Sequence, residues 1–170
     1  MNKTAVILAA LMFAIALRGS STGVQAASSD EASIRALESR FVAAVNAKNV
    51  NAIMKVYVPD EGLFVFDLAP PREYVGAMAY AKDWTDFLGM FKGSLKFEIS
   101  DLSVNTDRLM GFSHSIQRVT GTDTKGQPVA LTVRVTDVYR KIKGNWLIVH
   151  EHVSVPVDLG TGKPDLSSKP

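Results

Sequence analysis

The chain has 170 residues, 46% hydrophobic and 21% charged, the proportions of one globular domain and too short for two comfortable ones. Eight Phe, four Tyr and two Trp supply bulk for a core and exclude intrinsic disorder as the main state. The absence of cysteine excludes a disulfide scaffold, a thiolate nucleophile, a cysteine-ligated zinc and a lipidated N-terminal Cys.

The first segment reads as a secretory signal. Lys3 precedes an unbroken apolar run, Ala5–Leu17, and Val24-Gln25-Ala26 offers the small side chains a signal peptidase reads, so cleavage is expected after Ala26. A membrane anchor is the alternative, but that run spans about 20 Å as a helix, short of the ~30 Å hydrocarbon core. The mature protein is then expected to be exported, periplasmic or secreted, and free of the membrane. Without Lys3 and Arg18 the 19 basic residues fall to 17, equal to the 17 acidic ones. A neutral chain offers no basic field for nucleic acid.

After Ser28-Ser29-Asp30, which can cap a helix, Ile34, Leu37, Phe41 and Val45 follow at helical spacing, and Asn49 ends the helix. A shorter helix turns Ile53, Met54 and Tyr57 inward and stops at Pro59. Leu63–Asp67 is short, apolar and β-prone, and Ala69-Pro70-Pro71 breaks the chain. Gly76 opens a third helix to about Phe91, with Tyr80, Trp84, Phe87, Leu88 and Phe91 on one side. From Ser94 the period becomes alternating. Leu95, Phe97 and Ile99 share one phase and Leu102 and Val104 the other, which predicts a β-bulge at Ser100-Asp101. Three long strands follow, about Leu109–Thr122, Pro128–Ile142 and Asn145–Val155, joined by Asp123–Gly126 and Lys143-Gly144. The domain is expected over 27–157, with 158–170 a mobile tail lacking apolar period. This order of elements predicts an α+β fold, a curved antiparallel sheet wrapped around N-terminal helices with a hollow between them.

Strand phase decides which side chains face the hollow, because neighbours point to opposite faces. If Lys143-Gly144 is a two-residue turn, Ile142 faces Asn145, Tyr139 faces Ile148, Asp137 faces His150 and Val135 faces His152. His114 lies in phase between Phe112 and Ile116. Matching apolar faces places His114, Asp137, His150 and His152 on one side of the sheet. Three readings follow: a metal site, since imidazoles suit zinc; an acid/base imidazole oriented by Asp137; or hydrogen-bonded polar spots in a half-buried sheet. Asp67, after an apolar strand and before a Pro-Pro loop, projects a carboxylate into the mouth of a hydrophobic pocket or simply forms a turn. Trp84 stacks on a ligand or belongs to the core. Arg118 and Arg134 grip an anion or sit on a solvated or dimer face. No Gly-x-Ser-x-Gly and no phosphate-cradling glycine loop occurs.

The run Arg40–Tyr57, then Pro59-Asp60, Phe66-Asp67, the Pro-rich loop, Gly76 and Asp83-Trp84, resembles the opening of the SnoaL-like and ketosteroid-isomerase-like proteins of the nuclear-transport-factor-2-like superfamily. The closing Tyr139–His152 is similar to that superfamily's last hairpin, so the resemblance covers about Ala32–Val157. It implies a cone-shaped, cystatin-like fold around a pocket, dimeric through the sheet. It places Asp67 where the isomerases hold their general base, and Phe41 where they hold an oxyanion-binding tyrosine. Losing that hydroxyl costs on the order of 3 kcal/mol unless His114, His150 or His152 supplies a donor. The expectation is an exported pocket protein for a small, largely apolar ligand, lined by Trp84, Tyr139 and Phe41. If catalytic, it transfers protons with Asp67 or His150 as base and needs no cofactor. The alternative is a non-catalytic binding domain or a homodimeric association domain, with metal-dependent hydrolysis third.

Overall fold

A computed structural model describes residues 29–168, so the expected signal segment lies outside the described residues. Helix α1 spans Ser29–Asn46 and buries Ile34, Leu37, Phe41, Ala44 and Val45 along one stripe. Each large side chain so buried contributes roughly 1.5–3 kcal/mol. Its first turn is tied to the last hairpin, where Lys141 Nζ (2.6 Å) and Trp146 Nε1 (3.1 Å) both donate to Asp30 Oδ1. Its last residue, Asn46, accepts from the Phe97 amide at 2.8 Å and donates to the Phe97 carbonyl at 3.0 Å. That side chain thereby pairs with a strand backbone as another strand would.

Helix α2 (Val50–Ile53) is capped by Asn49 and runs into a 3₁₀ turn, Met54–Val56. Strand β1 (Phe64–Phe66) follows, then β2 (Tyr74–Val75), a two-residue strand the sequence pattern does not announce. Gly76, at φ +85°, admits the chain into α3 (Ala77–Gly89); the left-handed backbone and the Glu61 carboxylate against its Cα leave no room for a side chain. Strands β3 (Lys96–Asp107), β4 (Met110–Thr122), β5 (Pro128–Ile142) and β6 (Asn145–Ser154) complete the chain.

The six strands form one curved, unclosed sheet in the order β2-β1-β6-β5-β4-β3. All pairings are antiparallel except β1 with β6, a departure from the all-antiparallel expectation. The expected bulge in β3 is present, with the register shifting between Ser100 and Ser103 and Asp101 at φ +51°. A second bulge was not expected. In β6, Ile148 pairs with Tyr139 but His150, not Val149, pairs with Val138. One extra residue reverses the phase of everything after it. Trp146 and Ile148 point into the core before the bulge, and Glu151 takes over the inward position after it.

Beyond Ser154 the chain has a defined path. Val157 bridges Pro164, and the Asp158 amide donates to the Lys163 carbonyl. The Leu166 carbonyl then accepts from the Thr132 amide at 2.8 Å. The 158–168 segment thus covers the part of β5 that extends past the end of β6. Among the described residues no helix is long and apolar enough to cross a membrane.

Candidate functional site

The concave face of the sheet and helix α3 enclose a cavity of about 400 Å³. Tyr80, Asp83, Trp84 and Phe87 recur at helical spacing on α3 and line one wall; Phe97, Val119, Leu131 and Val133 come from β3, β4 and β5. Met90 and Leu166 lie at its margins, the latter brought in by the C-terminal segment. The wall is mostly apolar and contains no Lys, Arg or His. Its polar side chains are the carboxyls of Asp67, Asp83 and Glu151, the Tyr80 hydroxyl, the Trp84 indole and the Gln117 amide.

Asp67 is one of them, placed by β1 and the break that follows it. Burial pushes its carboxyl up to about 7. The Leu68 amide, donating at 2.6 Å, works against this, while the hydrogen-bonded Asp83 carboxyl and the charge of Glu151 work with it. Asp83 is itself held by the Tyr74 hydroxyl at 2.6 Å. A group of this kind gives or takes a proton near neutral pH.

Glu151 closes the inner end. It accepts from Tyr57 (2.8 Å) and, through a shorter contact, from Tyr80. Burial raises its carboxyl above the ordinary range, opposed by the hydrogen bonds from Tyr80, Tyr57 and Asp137. Asp137 is pushed well above the carboxylate range, first by burial and then by the charges of Glu151 and Glu38. Its Oδ2 lies 3.5 Å from the Ser113 and Tyr139 hydroxyls, and its Oδ1 meets no donor among the described residues. A neutral, protonated Asp137 accounts for an oxygen buried without a donor. The chain of contacts continues through Ser113 and Tyr139, 2.7 Å apart, to Glu38, which accepts from Tyr139 at 2.7 Å. Glu38 is pushed up to about 7 by burial, against the Tyr139 hydrogen bond and with the charge of Glu151.

The sequence-derived site is therefore divided in two. Asp67 and Trp84 line the cavity. Phe41 instead sits in the core, edge-on to Tyr57, Trp84 and Phe97, and Tyr139 is buried in the carboxyl network; neither lines the cavity. The expected pairing of Asp137 with His150 is corrected: Asp137 pairs with Glu151, and His150 with Val138. The three imidazoles do share a face, but it is the outer one. His114 and His152 flank Thr136 in register and are exposed. His150 Nδ1 lies 2.9 Å from the Phe64 carbonyl, and its ring stacks on Phe64. The β6 bulge is the reason. It was legible, because the apolar phase changes between Ile148 and Val153, the same sign that marks the bulge in β3. Glu151, Asp83, Tyr80 and Glu38 were missed; the partners of all but Asp83 lie far away in sequence. Among the described residues no three acidic or imidazole side chains converge as a metal site.

Comparison with known proteins places this geometry. Residues 34–158 match the model of the SnoaL-like domain. An NTF2-like protein of unknown function from Pseudomonas putida KT2440 is 30% identical over 85% of this chain and 99% of its own, with a TM-score of 0.75. A nuclear transport factor 2-like superfamily protein from Salmonella enterica serovar Typhimurium LT2 is 17% identical over 76% and 93%, TM-score 0.67. A protein of unknown function with a cystatin-like fold from Nostoc punctiforme PCC 73102 is 17% identical over 76% and 93%, TM-score 0.63. No curated protein matches. The family match across most of the chain, together with the 30% identity, shows that this chain belongs to the SnoaL-like family of NTF2-like proteins.

Proposed function

We propose that this is an exported protein whose cavity binds a small, largely apolar molecule and transfers a proton on it with Asp67, without a cofactor. The supporting observation is the position of Asp67: a carboxyl raised to about 7 in the wall of a mostly apolar, 400 Å³ hollow. In its ionised form Asp67 takes a proton from an acidified C–H or O–H of the ligand. Asp83, hydrogen-bonded to it, stabilises the protonated form that results. Tyr80 and Glu151 bound the polar end, and the valine and leucine side chains from the sheet hold the hydrocarbon part.

Mass spectrometry of small molecules extracted from the exported protein tests this reading. The same organic molecule is expected with the wild type and absent from a cavity-filling Val133→Trp variant. With that molecule in hand, Asp67→Asn is expected to lower turnover by about 10²–10⁴-fold. Equal recovery from both proteins, or wild-type turnover by the Asp67→Asn variant, contradicts it. A protein beginning at Ala27 in the exported fraction supports the signal assignment.

A second reading, an association domain acting as a homodimer, is favoured by the outer sheet face. Phe66, Met110 and Phe112 are 36%, 43% and 47% exposed there, beside the imidazoles. Burial of this face against a second copy explains why large apolar side chains point outward. Phe112→Glu is then expected to convert a dimer to a monomer in sedimentation; a wild-type monomer contradicts the reading.

A further inference from the structure

Strand β4 turns Ser113, Ser115, Gln117 and Val119 toward the concave side of the sheet. Gln117 is the anomaly among them. It is 6% exposed and lines the cavity, yet its side-chain amide makes no hydrogen bond among the described residues. Buried polar side chains are otherwise almost always paired. Nor does packing seal the amide off: among the described residues, the side-chain atoms buried without access or partner are the Trp84 indole nitrogen and Asp137 Oδ1. Its cross-strand partners, Ile99 and Val133, are apolar. An amide left unpaired among such neighbours destabilises the fold, and a hydrogen-bonding group of a ligand in the cavity offsets that cost.

Gln117 stands apart from the proton-transfer end. Asp67 follows β1, and β4 is three strands away in the order β1-β6-β5-β4, roughly 14 Å across the sheet. The wall between them is apolar, with Val153, Val133 and Leu131 contributing. A primary amide offers an acceptor oxygen and two N–H donors. A hydroxyl or carboxamide, which both gives and takes a hydrogen bond, uses both functions. A carboxylate or phosphate ester only accepts, and it would enter a cavity lined by three carboxyl groups and no cationic side chain. We infer that Gln117 binds a second, uncharged polar group of the ligand, a hydroxyl or carboxamide, separated by hydrocarbon from the group that meets Asp67. This rests on the proposed cavity-binding function and narrows its ligand class to molecules that are polar at both ends and apolar between them.

The test uses 1-octanol and 1,8-octanediol, which share a flexible hydrocarbon chain and differ by one terminal hydroxyl. Occupancy is read from the methyl resonances of Leu131 and Val133, and contact at Gln117 from its side-chain NH2 pair, in the full exported chain. Gln117→Met keeps an unbranched side chain of similar length without the amide. The ratio of diol affinity to alcohol affinity is expected to be roughly five- to tenfold higher in the wild type than in Gln117→Met, which buries the second hydroxyl without a partner. The diol is also expected to shift the Gln117 NH2 pair. Equal ratios in the two proteins, or an NH2 pair unmoved while the methyl resonances respond, overturn the role of Gln117 and leave cavity binding intact. Methyl resonances that respond to neither compound overturn cavity binding and the Gln117 contact together. If Gln117→Met does not fold, the NH2 pair of the wild type decides: a shift with the diol supports the contact, and no shift overturns it.

Discussion

Asp137 lies directly opposite Glu151 across β5 and β6, and both buried carboxyl groups are raised above the ordinary carboxylate range. Two buried carboxyls on directly paired residues do not both ionise, so the pair holds a proton at neutral pH. Asp137→Asn keeps a donor toward Glu151 and is expected to stay within about 1 kcal/mol of wild-type stability. Asp137→Ala leaves Glu151 short of a donor and opens a void, and should cost about 2–4 kcal/mol. Urea denaturation at pH 6 distinguishes the two. Equal losses would show that the side chain is not a donor.

Glu38 makes stability depend on pH. Its folded carboxyl titrates at about 7 against an ordinary 4.5, so the folded state holds an extra proton between those values. Its stabilising contribution is complete below about 4.5 and is lost as pH rises through 7. Asp67 acts in the same direction from an ordinary value of 3.8. The urea midpoint should therefore fall between pH 5 and pH 8, and Glu38→Gln, which can still accept from Tyr139, should flatten that fall. A wild-type midpoint that rises with pH over this range contradicts the assignment.

The imidazoles are expected to matter little for chemistry in the cavity. His114→Ala and His152→Ala should leave turnover within about twofold, because both rings lie on the outer face of the sheet. His150→Ala should loosen the β1 edge by about 0.5–1.5 kcal/mol through loss of the contact to the Phe64 carbonyl. Hydrogen exchange at the β1 amides measures this. Turnover falling a hundredfold in any of the three would return catalysis to the outer face.

The C-terminal segment should affect the cavity more than the fold. Removing residues 158–170 takes away Leu166 from the cavity margin and the Thr132–Leu166 bond. Ligand release is expected to quicken about tenfold, with global stability reduced by about 1 kcal/mol. Stopped-flow release from the truncated chain provides the check; unchanged release means the segment does not close the cavity.

How much of this was legible in sequence depended on the range of the interaction. Helix α1 is written in the spacing of Ile34, Leu37, Phe41 and Val45, and the β5–β6 turn in Lys143-Gly144. Asp67 was legible because a carboxylate ending an apolar run is locally odd. The pairing of Asp137 turns on one extra residue near Val149, marked in the sequence only by the change of apolar phase between Ile148 and Val153. A single inserted residue moves three side chains from one solvent environment to the other without changing local composition. Glu38 reads as a surface charge on an amphipathic helix, and only its contact with Tyr139, across the whole domain, makes it a buried acid.

The proposed chemistry depends most on Asp67 being a carboxyl that titrates near neutrality because it is buried beside Asp83. Following its side-chain carboxyl carbon by NMR from pH 3 to 9 measures this directly. A midpoint near 7, moving lower in Asp83→Asn as the hydrogen-bonded neighbour is neutralised, is the expected result. A midpoint near 4 in the intact protein, unmoved by the Asp83 substitution, would mean a solvated turn residue and contradict the proton-transfer role.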